Sequence, residues 1–111
     1  MRIYVPATVT MLEGFASSGQ VTAGADRYVA TDETEEAEYD ALAEAADAAA
    51  KLLDRPGRRV VVVAEVSDPD APFPMALVDA VHADTDDVDP LADDLPELAW
   101  FATQEIRDLL G

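Results

Sequence analysis

The stretch Arg59–Val66, RVVVVAEV, constrains this chain more than any other. Four consecutive valines followed by an alanine leave no polar face, and β-branched side chains favour extended backbone over helix. A strand that is apolar on both sides has to be covered on both. The run therefore belongs in the middle of a sheet, with helices on at least one side.

The remaining elements follow from punctuation and periodicity. Arg2-Ile3-Tyr4-Val5 alternates polar and apolar residues and reads as a strand, which Pro6 should end because proline cannot donate to a ladder. Thr8 caps a helix through about Ser18, with Leu12, Phe15 and Ala16 at helical spacing and Gly19 as its stop. Gly14 weakens that helix by about 1 kcal/mol relative to alanine. A second strand falls at Asp26–Ala30. Asp32 and Glu35 have the spacing of a capping box, and Tyr39, Leu42, Ala46, Ala49 and Leu53 then form one apolar helix stripe. Opposite lie Glu36, Asp40, Glu44, Asp47, Lys51 and Asp54, a solvated face. Pro56-Gly57 stops the helix, and Arg55, Arg58 and Arg59 sit where the negative end of its dipole favours cations.

Beyond the valine run comes a turn rich in proline and aspartate, then a strand from about Ala76 to Ala83. Asp89-Pro90 opens a short helix ending near Leu95, Leu98–Ala102 forms a last strand, and Thr103 caps a terminal helix that turns Ile106, Leu109 and Leu110 inward. The order is β-α-β-α-β-β-(short α)-β-α, with no internal repeat and no low-complexity linker. This predicts one α+β domain over residues 1–111, a mixed sheet of about five strands packed with helices.

Charge narrows the possible partners. Seven Lys plus Arg against 24 Asp plus Glu gives −17, a surface that repels phosphate backbones and anionic lipid headgroups. Direct nucleic-acid binding and membrane binding are thus not expected. The absence of cysteine removes disulfides, thiolate metal sites and cysteine nucleophiles. No apolar run approaches the ~18 residues of a membrane span, and MRIYVPATVTMLEG lacks the features of a signal peptide. The expectation is a soluble cytoplasmic protein. Arginine in preference to lysine, with abundant alanine, fits a GC-rich coding bias; a salt-adapted surface is the rival source of the acidity.

Chemistry-bearing residues are few. Asp84, Asp86, Asp87 and Asp89, continued by Asp93 and Asp94, suggest a hard-cation site. Their spacing fails the calcium-loop pattern, with Val88 at the fifth place and neither the turn glycine nor the twelfth-place glutamate, so a solvated loop is the expectation. His82 is the sole histidine and the candidate for a general base, with Asp84 as its candidate partner. Asp84 would share its strand face and Asp79 would not. No Ser or Thr lies in a nucleophile elbow. The three arginines after the long helix suit dipole compensation better than a phosphate site. Trp100 and Phe101 fall on opposite strand faces; at least one belongs to the core, and an exposed Trp100 would instead mark a contact surface. No cofactor is called for.

The opening MRIYVPAT, the YVAT before the long helix, ETEEAEYDAL, RRVVVVAEV, AVHAD and the closing LAWFATQEIRDLL resemble a family of short actinobacterial proteins of unknown function. The likeness spans nearly the whole chain, and its motifs are structural. It implies a cytoplasmic actinobacterial protein, favours coding bias as the source of acidity, and implies no activity. The leading functional expectation is a small acidic, non-catalytic module that binds another protein, or itself, through a sheet edge or an aromatic patch. The alternatives are an acidic nucleic-acid mimic that occupies a basic protein's groove, and a small hydrolase or transferase using His82. A pocket where Arg2, Tyr4, His82 and a carboxylate converge would favour the last.

Overall fold

The computed structural model describes residues 1–22 and 26–110. The valine run forms β4 (Arg59–Glu65), flanked by β1 (Arg2–Thr8) and β6 (Val78–Ala83). With β3 (Tyr28–Val29) and β7 (Ala99–Ala102) at the edges, the sheet order is β3-β1-β4-β6-β7. Val60 to Ala64 have no exposed surface, as a central strand covered on both faces requires.

Every pairing in this sheet is antiparallel, which corrects the expectation of a mixed sheet. The alternation of strands and helices arises differently. β3 and β4 both run against β1 and so run parallel to each other, joined by helix α2 (Glu35–Leu52). They are not neighbours, because β1 lies between them in a split β-α-β arrangement. The crossover is present and the parallel ladder is not.

Pro6 does not end β1; it pairs with Val61 inside the strand. Val66 N–H donates to the Met1 carbonyl at 2.9 Å, which fixes the phase of the alternating ladder and makes Pro6–Val61 a pair without mutual hydrogen bonds. The missing N–H of Pro6 therefore faces β3, which pairs only with Ile3 and Tyr4 and has already ended. Proline is tolerated because, among the described residues, no ladder partner stands opposite it on that side.

On one face pack α1 (Val9–Ser18) and α3 (Ile106–Leu110), closing the larger core around Ile3, Val5, Leu12, Phe15, Val60 and Val62. A small ribbon of β2 (Gln20–Val21) and β5 (Phe73–Pro74) adds Val21 and Phe73. Arg27 ties this region together: its guanidinium lies 5.2 Å from the Phe73 ring centre and donates to the Pro69 and Ala71 carbonyls. Thr8 caps α1 by accepting from Met11 N–H, and Gly19 ends it at φ 78°, a left-handed conformation glycine adopts without a steric penalty.

The other face carries α2. Its cap is Thr34, not Asp32: the Thr34 hydroxyl accepts from Ala37 N–H, while Asp32 accepts from both the N–H and the hydroxyl of Thr34. These bonds hold the Asp32 carboxyl below its usual pKa. The side chains against the sheet are Ala41, Ala45 and Ala49, spaced four apart, so the helix backbone approaches β1 and β4 closely. The expected stripe is therefore rotated. Tyr39 is 65% exposed, and Leu42 and Ala46 lie on the flank.

Three terminal details also differ. A single turn replaces the helix expected at Asp89–Leu95, since Asp89 spends its carboxylate on Leu91 N–H and its carbonyl on Ala92 N–H. Met75–Leu77 forms a 3₁₀ turn before β6. Thr103 begins another 3₁₀ turn instead of capping, and the Glu105 carboxylate reaches back to Ala102 N–H at 3.1 Å.

Candidate functional site

The sheet face under α2 is only partly covered. The helix lies mainly over β3, β1 and β4 and covers little of the same face of β6 and β7. Cross-strand registers put Val61, His82 and Trp100 in one row on that face. Phe101 points the other way, into the larger core, as the alternation predicts.

The chain between β6 and β7 folds back to form the second wall, and a buried ion pair positions it. Arg59 and Asp84 are 6% and 2% exposed. Arg59 Nε donates to Asp84 Oδ2 at 2.9 Å and an Arg59 Nη to Oδ1 at 2.7 Å, a bidentate fork, while Arg59 N–H also donates to Oδ2. The same guanidinium donates to the Pro96 carbonyl at 2.6 Å, which pins the 95–98 segment over the sheet. This role is not legible in the sequence, where Arg59 stands with Arg55 and Arg58 beyond a helix end and nothing local distinguishes a buried arginine. Arg58 instead donates to the Leu109 carbonyl and Arg55 stays exposed beside Asp54, so the three do not make one basic patch.

Between the two walls runs a groove of about 350 Å³. Tyr39, Leu42 and Ala46 line it from α2, Leu95, Pro96 and Leu98 from the facing segment, and His82 and Trp100 from the strands. Trp100 is 60% exposed. Asp47 and Glu97 stand on opposite walls. A larger hollow of about 620 Å³ lies near Thr8, Leu53 and Leu109, where Asp54 and Asp87 offset Arg55 and Arg58. It lacks convergent aromatic side chains, so the smaller groove is the better candidate.

His82 is half-buried there. Burial, aided by the positive charge of Arg2, holds its imidazole below the usual pKa, so it is neutral at pH 7. Among the described residues no carboxylate hydrogen-bonds it. Both oxygens of Asp84 serve Arg59, and Asp79 meets Arg2 at 3.4 Å. No serine or threonine lines the groove. Arg2 lies in a separate charged cluster, within 3.4 Å of Glu38 and 3.6 Å of Glu65, and Tyr4 packs beneath α2 in the smaller core. Arg2, Tyr4 and His82 do not share a cavity among the described residues.

The acidic run is dispersed in the same way. Asp84 is buried with Arg59, Asp86 and Asp87 are exposed, and Asp89 closes its own turn. Val88 between them pairs with Gly57 through two backbone bonds. Among the described residues no three His, Asp or Glu side chains are placed to hold a metal ion. What the groove offers is apolar and aromatic contact, a neutral imidazole and an acidic rim.

The sequence corresponds to a known family: residues 1–110 match the family of unknown function DUF6912. The chain belongs to that family. No curated protein and no solved structure matches it. Membership assigns no chemistry, which rests on the geometry above. Among the described residues no helix is long and apolar enough to cross a membrane.

Proposed function

We propose that this chain is a non-catalytic, cytoplasmic protein-interaction module that binds its partner in the groove between α2 and β7. One observation carries the reading: Tyr39 and Trp100, two large aromatic side chains, stand mostly exposed on the borders of a single apolar groove. Aromatic side chains bury much area at low entropic cost and dominate the energetics of interfaces. A fold that packs the neighbouring Phe101 against the larger core has no packing reason to leave Trp100 in water. The cysteine-free sequence suits a reducing compartment.

The structure favours a patch over a strand edge as the means of docking. Asp84 N–H donates to the Arg59 carbonyl, so in β6 the alternation aims Val81 and Ala83 at β7 and leaves Trp100 and Ala102 facing the open edge. Glu105 already occupies the Ala102 N–H. An added strand would find hardly more than one rung.

Affinity isolation from the host with wild type and Trp100→Ala tests the module. Wild type should retain a stoichiometric protein that the variant loses at unchanged melting temperature. Equal retention by both, or no retained protein, would overturn the assignment.

A further inference from the structure

We infer that the groove takes a cationic peptide segment of another protein, with a large apolar side chain inserted between Tyr39 and Trp100 and Lys or Arg flanking it. This rests on the reading of the groove as a docking surface and goes further by naming the chemistry of the occupant.

The carboxylates are placed for it. Asp47 and Glu97 lie on opposite walls of the groove. Glu36 and Asp40 are exposed on α2, one helical turn from Tyr39 and Ala43 respectively, and extend the acidic rim along the helix. The one arginine in the lining, Arg59, has its charge neutralised by Asp84. His82 is neutral and places no cation at the floor. The field at the mouth is thus negative with an apolar interior, complementary to an apolar anchor between cations. Exposed indole and phenol faces add cation–π contact for a guanidinium laid across them.

A second copy of this chain fits poorly. It would bring the same acidic rim against itself, between molecules that each carry −17. The size suits a side chain more than a strand or a whole helix, since 350 Å³ is at the lower end of ligand cavities.

Trp100 is the only tryptophan, so its emission reports the groove directly. The probes are three short peptides with the same Phe-Leu centre, flanked on each side by a pair of arginines, of serines or of glutamates. The arginine peptide should shift Trp100 emission to the blue and saturate. Its affinity should fall about tenfold between about 20 mM and about 300 mM salt. The serine peptide should bind more weakly and the glutamate peptide not at all. Asp47→Lys with Glu97→Lys, both at exposed positions, should reverse the order of the arginine and glutamate peptides without lowering the melting temperature. Equal binding of all three peptides, or an unchanged order in the double variant, would overturn the cationic occupant while leaving the groove as a docking surface. No shift with any peptide at millimolar concentration would overturn both. A concentration-dependent blue shift without peptide, matched by a dimer in sedimentation, would replace the partner with a second copy.

Discussion

Arg59 and Asp84, 25 residues apart, meet as a bidentate pair with hardly any exposed surface, and the same guanidinium anchors the Pro96 carbonyl. One buried cation thus joins the start of the central strand, the end of β6 and the wall of the groove. Removing one partner of such a pair leaves an uncompensated buried charge. Asp84→Asn should cost about 3–5 kcal/mol, measured from the urea midpoint at unchanged slope. Replacing both residues, Arg59→Met with Asp84→Leu, should recover only part of that loss, because the Arg59 N–H and the Pro96 carbonyl also lose their partners. A loss below about 1 kcal/mol in the single variant would mean that the pair is solvated.

His82 gives the stability a pH dependence of known sign. Burial depresses its folded pKa below the ordinary 6.5, so the unfolded chain takes up a proton first as pH falls. The contribution of the neutral imidazole is intact above that ordinary value. It diminishes as pH drops through it and stops changing once the folded value is passed. The many carboxylates titrate alongside, so the comparison is with His82→Gln. The stability of wild type relative to the variant should decline between about pH 8 and about pH 5. A constant difference would show that the imidazole is solvated.

Trp100 and Tyr39 should be nearly dispensable for folding. Both are mostly exposed. Trp100→Ala and Tyr39→Ala should each change stability by less than about 1 kcal/mol, because surface substitutions seldom exceed that scale. A thermal melt showing a large loss for Trp100→Ala would give the side chain a structural role and remove the reason for its exposure.

The alanine stripe of α2 sets the spacing between helix and sheet. Ala45 has no exposed surface. Ala45→Leu should lower stability by about 1–3 kcal/mol through overpacking, visible in chemical denaturation. A neutral result would place slack where the helix meets β1 and β4.

Gly14 offers the reverse. It is exposed within α1, and an added Cβ would meet nothing within 4 Å. Gly14→Ala should stabilise the chain by about 0.5–1 kcal/mol, the difference in helix propensity. A loss on thermal melting would indicate that α1 uses the glycine in a way its surroundings do not show.

Sequence by itself determined the longer elements and the centre of the sheet, but not the small ribbon of β2 and β5 or the turn that stands where a helix was expected at Asp89–Leu95. Four valines in a row have no polar face to give to water, so Arg59–Val66 had to be central; Thr8 and Gly19 bound α1 through hydrogen bonds within a few residues. Such features are local, and local patterns are legible. Pairing direction was not: whether β3 and β4 become neighbours depends on β1 inserting between them, which no spacing within the chain encodes. The face of α2 was half legible. Its apolar period combines a core row, in which only Ala41, Ala45 and Ala49 fit against the sheet, with a flank of Tyr39, Leu42 and Ala46 that faces the groove. The candidate site was the least legible part. His82 and Trp100 were visible as residue types, but the tertiary fold alone decided that they share a row, that Asp84 belongs to Arg59 and that the helix stops short of them. Those are contacts between segments distant along the chain, set by which surfaces pack best once the whole core closes.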